Sequence, residues 1–314
     1  MEKNLSEMLW NERFRPKTIE ECILPLPLKS TFQNFILAGQ CPNIMIHSSS
    51  GGTGKTTVLR ALCNELDLEY LFVNASEQRS LDIIRNDVTQ FVSTMSLDGR
   101  RKAVIFDECD SQTQLAQQAL RSFIEQYSHI RFFFSCNFVD KIIQPLQSRC
   151  TVVSFDWPSE DHKILKNHFY TRIKKILTEE CIEFKKEIVV ELIRRFFPDF
   201  RRIINELQKH SITGKIDEGI LVYSKEFDFS ELLSILKNKK FTDLRKWVEL
   251  NETLNYELFY RNFYKELSEF VSPACLPTLI LILGKYMFQH SQVYDKQINL
   301  LCCLIEIMSE IIVK

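Results

Sequence analysis

The sequence predicts an α/β protein: a parallel-sheet phosphate-loop domain followed by two wholly helical parts. Three observations lead there. Five short apolar runs alternate with helically spaced segments between residues 40 and 155. A glycine-rich loop joins the first run to the helix after it. The strand signal then stops at Trp157-Pro158.

The runs are Ile44-Met45-Ile46, Tyr70-Leu71-Phe72-Val73, Ala103-Val104-Ile105-Phe106, Phe132-Phe133-Phe134 and Thr151-Val152-Val153. Such runs read as strands covered on both faces, and their alternation with helices predicts parallel pairing. Between them, Val58, Leu59, Leu62, Cys63 and Leu66 mark one helical stripe; Leu115, Ala119, Phe123 and Tyr127 mark another. Residues from about 160 to 225 predict a small helical domain. Phe227-Asp228-Phe229-Ser230 reads as the link to a third part, helical from Glu231 onward. Its last helix, Ile298 to Val313, is apolar on more than one face, so its own domain or a neighbouring subunit must cover it. The expected domains are 1–156, 157–226 and 227–314.

Composition bounds the function. A chain of 314 residues can hold two or three cores. Its 40 Lys and Arg against 41 Asp and Glu leave a net charge of −1, so any nucleic-acid contact must use a local patch. None of the 10 cysteines forms a C-x-x-C pair, so no zinc is expected. Many lie in apolar runs, as buried reduced thiols do, which points to a reducing cytoplasm. Met1 to Trp10 lacks a signal-peptide core, and the apolar stretch Leu279 to Leu283 is cut off by Gly284 and Lys285. No membrane role is expected.

Of the 8 glycines, three fall in Ser50-Gly51-Gly52-Thr53-Gly54-Lys55-Thr56-Thr57. The segment follows one predicted strand and opens a helix, the context a phosphate-cradling loop requires. Glycines let backbone N–H groups turn onto phosphate oxygens, and the helix N-terminus adds positive potential. Lys55 can reach the β- and γ-phosphates of ATP, and Thr56 offers a hydroxyl to Mg²⁺. The usual pattern has glycine where this chain has Ser49. Asp107-Glu108 closes an apolar strand beside that loop: Asp107 would hold Mg²⁺ and Glu108 would activate water. Asn137 ends the next strand and is either a γ-phosphate ligand or a turn cap. Arg149, in Ser148-Arg149-Cys150, is either a surface charge or a finger reaching a neighbouring subunit's site.

With these elements in order, the chain resembles the AAA+ family, and within it the clamp loaders. Trp10-Asn11-Glu12-Arg13-Phe14-Arg15-Pro16-Lys17 is similar to the N-terminal W-x-E-K-Y-R-P-K box of replication factor C small subunits. Phe72-Val73-Asn74-Ala75-Ser76 with Asp82-Ile83-Ile84-Arg85-Asn86 resembles their L-N-A-S…I-D-x-x-R-N segment. Ser135-Cys136-Asn137 and Ser148-Arg149-Cys150 match their S-C-N and S-R-C signatures. Glu20 to Pro25, His47-Ser48 and Phe197-Pro198-Asp199-Phe200-Arg201 are most similar to the T-even phage branch. The resemblance runs the whole length but is specific only over residues 10 to 210.

The resemblance implies an AAA+ sheet domain, a helical lid and an all-α collar. It implies a DNA- and clamp-stimulated ATP hydrolase in the cytoplasm of an infected bacterium. Its partners would be further copies of itself, a different small clamp-loader subunit, a ring-shaped sliding clamp and primer–template DNA. Arg13 and Arg15 would border the adenine pocket, and Asn137 would be the first sensor. Arg149 would complete a neighbour's site. Arg201, or the adjacent Arg202, would be the second sensor. Asn74 would hold Glu108 inactive until DNA binds. Arg85, Gln112 and Thr113 would track the DNA backbone, and Gln117 and Arg121 would couple that contact to the ATP site. For Gln112, Thr113 and Gln117 the alternative is a capped, solvated helix face. Competing functions are another DNA-acting AAA+ motor, a scaffold with a dead site, or a metabolic P-loop kinase.

Overall fold

The computed structural model describes residues 9–76, 84–96, 98–212, 214–216, 220, 229–251, 256–290 and 292–312. The five predicted runs become β1 (Ile44–His47), β2 (Glu69–Asn74), β3 (Lys102–Asp107), β4 (Arg131–Cys136) and β5 (Thr151–Ser154). They form one parallel sheet in the order β2-β3-β4-β1-β5. Consecutive strands are joined by helical crossovers, as parallel pairing demands. The loop after β1 therefore lies beside the end of β4, and β3 follows immediately. That order brings the phosphate loop, Asn137 and Asp107-Glu108 to one edge of the sheet.

Burial departs from expectation at the sheet's margins. The central strands β1, β3 and β4 are almost wholly buried, while Thr151, Val152 and Ser154 of β5 are exposed. Being last in the order, β5 has a strand on one side only. A short Thr-Val-Val run looks the same in sequence whether its strand is central or at the edge.

The helix α1 (Trp10–Arg13) precedes α2 (Leu26–Leu37), and α3 (Lys55–Glu65) follows the phosphate loop. Its stripe Val58, Leu59, Leu62 and Cys63 is buried under the sheet as read. A π-helical turn Ile84–Val88 runs into α4 (Thr89–Ser93). A turn Cys109–Ser111 leads from β3 to α5 (Gln114–Gln126). Here the expected stripe is displaced by one position. Leu115 is 65% exposed, and Ala116, Gln117, Leu120 and Ile124 face the core. The polar Gln117 breaks the apolar pattern on the buried face, which drew the periodicity onto Leu115, Phe123 and Tyr127.

After a short α6 (Gln144–Gln147) and β5, the lid is built from α7 (Ser159–Glu179), α8 (Lys186–Phe196) and α9 (Phe200–Ser211). It also contains a two-stranded parallel ladder of β6 (Glu183–Phe184) and β7 (Lys215–Ile216), which the helical reading of 160–225 missed. Two residues per strand give no alternation to read.

The chain divides into two compact units, residues 1–223 and 224–314. The second unit has its own core, formed by α10 (Ser230–Lys237), α11 (Phe241–Leu250), α12 (Tyr256–Phe270), α13 (Leu276–His290) and α14 (Lys296–Glu310). Phe229, read as part of a linker, is buried in that core; Phe227 and Asp228 lie outside the described residues. The apolar last helix buries Leu300, Cys303, Leu304 and Ile307 within the unit but leaves Ile298 exposed. Among the described residues, no helix is long and apolar enough to cross a membrane.

Candidate active site

Gly54 adopts φ +93° at the N-cap of α3, a conformation that a side chain would strain. The turn carries Lys55 into the floor of a cavity. Its ammonium, 8% exposed as a residue, donates to Ser50 O at 3.1 Å and to Asn137 Oδ1 at 2.9 Å. Burial pulls its pKa below the ordinary lysine value, and Cys136, Asp107, Asp110 and Asp156 oppose that pull. Thr56 Oγ1 donates to Asp107 Oδ1 at 2.7 Å, and Ser135 Oγ donates to the same oxygen. A hydroxyl beside a carboxylate is a hard-oxygen donor set, and it fits Mg²⁺.

Glu108 sits at φ +54°, in the left-handed region. For a non-glycine residue this costs about 1–2 kcal/mol. Local bonds hold it: Glu108 N donates to Ser135 Oγ at 3.3 Å, and Ser111 N and Oγ donate to Glu108 O at 3.0 and 2.8 Å. The bend turns the chain off β3, and Asp107 and Glu108 both line the cavity. Strained backbone at a strand end is a common property of catalytic turns.

The lid closes on the phosphate loop. Phe200 N donates to Gly52 O at 3.1 Å, and a Cβ built on Gly52 would stand 1.8 Å from Asp199 Oδ1. Asp199 caps α9 by accepting from Arg202 N at 2.9 Å. Arg201 then lines the cavity, while the Arg202 guanidinium lies 4.2 Å over the Phe196 ring. On the other side of the loop, Asp156 Oδ1 accepts from Ser49 N at 2.9 Å and Ser49 Oγ at 2.7 Å. Burial works to raise the Asp156 carboxyl, but the Ser49 bonds outweigh it and hold it below its ordinary value. Ser49, where the usual loop has glycine, is thus anchored to the end of β5.

Arg15, Gly51 to Thr57, Asp107, Glu108, Asn137 and Arg201 all line this one cavity. Arg15 Nη1 also donates to Thr57 Oγ1 at 3.3 Å. Arg13 does not join them: it pairs with Glu180 and lies 4.5 Å over the Phe14 ring, on the outer side of α1. Asn74 stands level with Asp107 across β2 and β3, and its Oδ1 accepts from Ser76 N at 3.1 Å and Ser76 Oγ at 2.9 Å.

The α5 residues also depart from expectation. Gln112 is 6% exposed, with both side-chain polar atoms buried and unbonded among the described residues. It cannot track a backbone from there. Thr113 is exposed and caps α5, accepting from Ala116 N at 3.3 Å. Gln117 is neither solvated nor capping. Its Nε2 donates to Gln112 O and Lys141 O, and its Oε1 accepts from Ile143 N. Arg121 and Arg149 share Glu125. The side chain of Arg85 lies outside the described residues. Cavity residues given no role from the sequence include Asn11, Phe169, Arg172 and Ile204. Asn11 stands at the variable position of the Trp10–Lys17 box, and the other three lie on lid helices without a motif.

Residues 45–155 match the family described as "ATPase family associated with various cellular activities (AAA)". Residues 161–222 match "Sliding-clamp-loader large subunit, AAA+ ATPase lid domain". The chain is 35% identical to the sliding-clamp-loader large subunit of Enterobacteria phage T4, covering 98% of both chains, and 33% identical to that of Escherichia phage RB69. It is 29% identical to the replication factor C small subunit of Sulfolobus acidocaldarius over 94% of each. Among solved structures, the Thermotoga maritima RuvB Holliday junction branch migration motor aligns with a TM-score of 0.54 at 17% identity, covering 91% of this chain and 90% of that one. That similarity shows the fold alone. Near-complete coverage at these identities, on a phosphate loop, acid pair and lid arranged as above, assigns the chain to the sliding-clamp-loader large-subunit family of AAA+ ATPases.

Proposed function

We propose that the chain hydrolyses ATP within a ring that opens a sliding clamp and loads it at primer–template junctions. The observation that carries this is the convergence of Lys55, Thr56, Asp107, Glu108, Asn137 and Arg201 on one cavity, in a chain similar from end to end to clamp-loader large subunits.

The roles follow from the chemistry of the groups. Lys55 and the amides of Gly51 to Gly54 bind the phosphates, aided by the α3 N-terminus. Thr56 and Asp107 would hold Mg²⁺, which when bound neutralises phosphate charge. Glu108 takes the proton of the attacking water, and Asn137, already bonded to Lys55, orients the γ-phosphate end. Arg201 closes the lid over the nucleotide. Arg149 serves a neighbouring subunit, since it lies outside its own cavity lining. Asn74, level with Asp107, restrains Glu108 until DNA arrives. The exposed start of α5 at Thr113, with Arg85, meets the DNA backbone without reading sequence.

The ring contains further copies of this chain and a different small subunit, in the cytoplasm of an infected bacterium. Exposed Leu281 and Ile298 on the C-terminal helices, with Ile312 just past the last of them, supply apolar surface for that assembly. A scaffold with a dead site is disfavoured because the lysine, both acids and the arginine are all present. Steady-state ATP hydrolysis by the reconstituted ring is the test. Turnover should rise when primed DNA and clamp are added together; identical turnover with and without them would overturn the loading role.

A further inference from the structure

We infer that Asn11 reads the exocyclic amine of adenine and so selects ATP over GTP. Asn11 lies on α1, whose position is fixed on both sides. Trp10 is 5% exposed, its N–H donates to Gln208 Oε1 of α9 at 2.9 Å, and its carbonyl accepts from Phe14 N at 2.9 Å. Asn11 lines the same cavity as Lys55, together with the apolar groups of Phe14, Pro16, Ile23 and Ile204. Its Oδ1 is buried and accepts no hydrogen bond among the described residues. A buried carbonyl oxygen without a donor carries a desolvation penalty that a bound donor removes.

With triphosphate held at Lys55, the apolar end of the cavity is left for the base. The side-chain amide of asparagine matches the N6-amine and N7 edge of adenine, donor to acceptor and acceptor to donor. Guanine presents a carbonyl oxygen in place of that amine, which would set two acceptors against each other. A site built to bond one donor rejects ligands lacking it more strongly than an apolar pocket does. The inference rests on reading the cavity as an ATP site.

The test is competition binding to the full-length chain with ATP, GTP and purine riboside triphosphate, which has hydrogen in place of the 6-amine. Wild type should bind ATP about tenfold tighter than the purine analogue, the value of one hydrogen bond to a buried partner. Asn11→Ala should bind ATP and the analogue equally, at the wild-type affinity for the analogue, which also shows that the variant is folded. Asn11→Asp keeps an acceptor and should keep the preference for the amine. Equal wild-type affinity for ATP and the analogue would overturn the inference without any variant. So would an unchanged ratio in Asn11→Ala. If wild type binds none of the three, or Lys55→Ala binds all of them normally, the ATP reading itself falls and this inference with it.

Discussion

Arg149 and Glu125 are paired within one chain: Nε donates to Glu125 Oε1 at 2.8 Å, Nη2 donates to the same oxygen, and Nη1 donates to Pro145 O at 2.6 Å. Of the guanidinium's five donors, these contacts use three, which leaves two for the neighbouring phosphate of the proposed ring. The hydrogen bond from Arg149 holds the exposed Glu125 carboxyl below its ordinary value, so the pair is intact at neutral pH. In the role proposed for Arg149, Glu125 aims the guanidinium without occupying all of its donors. Arg149→Ala should leave nucleotide binding unchanged and cut ring turnover by roughly 10³–10⁵. Glu125→Ala should cost less, roughly 10–100-fold, because the finger remains but is misaimed. Turnover of the reconstituted ring, beside ATP-analogue titration of the isolated chain, checks both. A faster Glu125→Ala ring would mean that the pair restrains Arg149 instead of aiming it.

Gly52 is where the phosphate loop meets the lid. Its φ of +69° is strained for any side chain, and an added Cβ would lie 1.8 Å from Asp199 Oδ1, 2.6 Å from Asp199 Cγ and 3.3 Å from Arg201 Cβ. Backbone preference alone would cost Ala about 1–2 kcal/mol. The clash adds a displacement of the lid that removes the Phe200–Gly52 bond and withdraws Arg201. Gly52→Ala should therefore weaken ATP-analogue binding by at least about tenfold. Adding Asp199→Ala should restore part of that loss by making room. Wild-type affinity in Gly52→Ala would show that the lid does not hold this pose.

Most of the fold was legible because its signals are local. Each of the five apolar runs became a strand, and the glycine loop between strand and helix could be placed without seeing the sheet. The edge position of β5 was not legible, since exposure depends on strand order and order is a property of the whole chain. At the site, Lys55, Thr56, Asp107, Glu108 and Asn137 were readable from spacing to neighbouring strands. Arg13 was expected at the cavity, but it ends the four-residue α1 and turns to Glu180, whereas Arg15, two residues past the helix, reaches Thr57. Gln112 and Gln117 looked like surface residues because glutamine usually is one. Their burial is visible only once α5 is packed against the segment following Asn137.

That packing makes Gln117 a structural test. Its side chain is 1% exposed and serves Gln112 O at 3.2 Å, Lys141 O at 3.1 Å and Ile143 N at 2.8 Å. Gln117→Leu keeps the bulk but leaves three backbone groups without this partner. Each buried group left unpaired costs about 1–3 kcal/mol, and relaxation recovers some of it, so the variant should lose about 2–4 kcal/mol. Gln117→Glu keeps an acceptor for Ile143 N and loses both donors; it should fare no better. Urea midpoints at a constant denaturant slope give the comparison. Stability within about 0.5 kcal/mol of wild type would mean that the amide is dispensable to packing.

The lid offers a test of electrostatics through pH. Hydrogen bonds from Arg194, then from Arg195, outweigh partial burial and hold the Glu191 carboxyl at about 2 against an ordinary 4.5. The folded value is depressed, so the group contributes stability that is fully present above about 4.5 and is lost as pH falls towards 2. All three side chains retain solvent contact, Arg194 the most at 56%. Solvent screening therefore limits the contribution to about 1 kcal/mol. Glu191→Gln should lower the unfolding free energy by no more than that at pH 7. The gap between variant and wild type should shrink steadily from pH 4.5 to pH 3. Chemical denaturation across that window measures it directly. A gap that held constant or widened on acidification would show that the arginine pair does not act through the carboxylate charge.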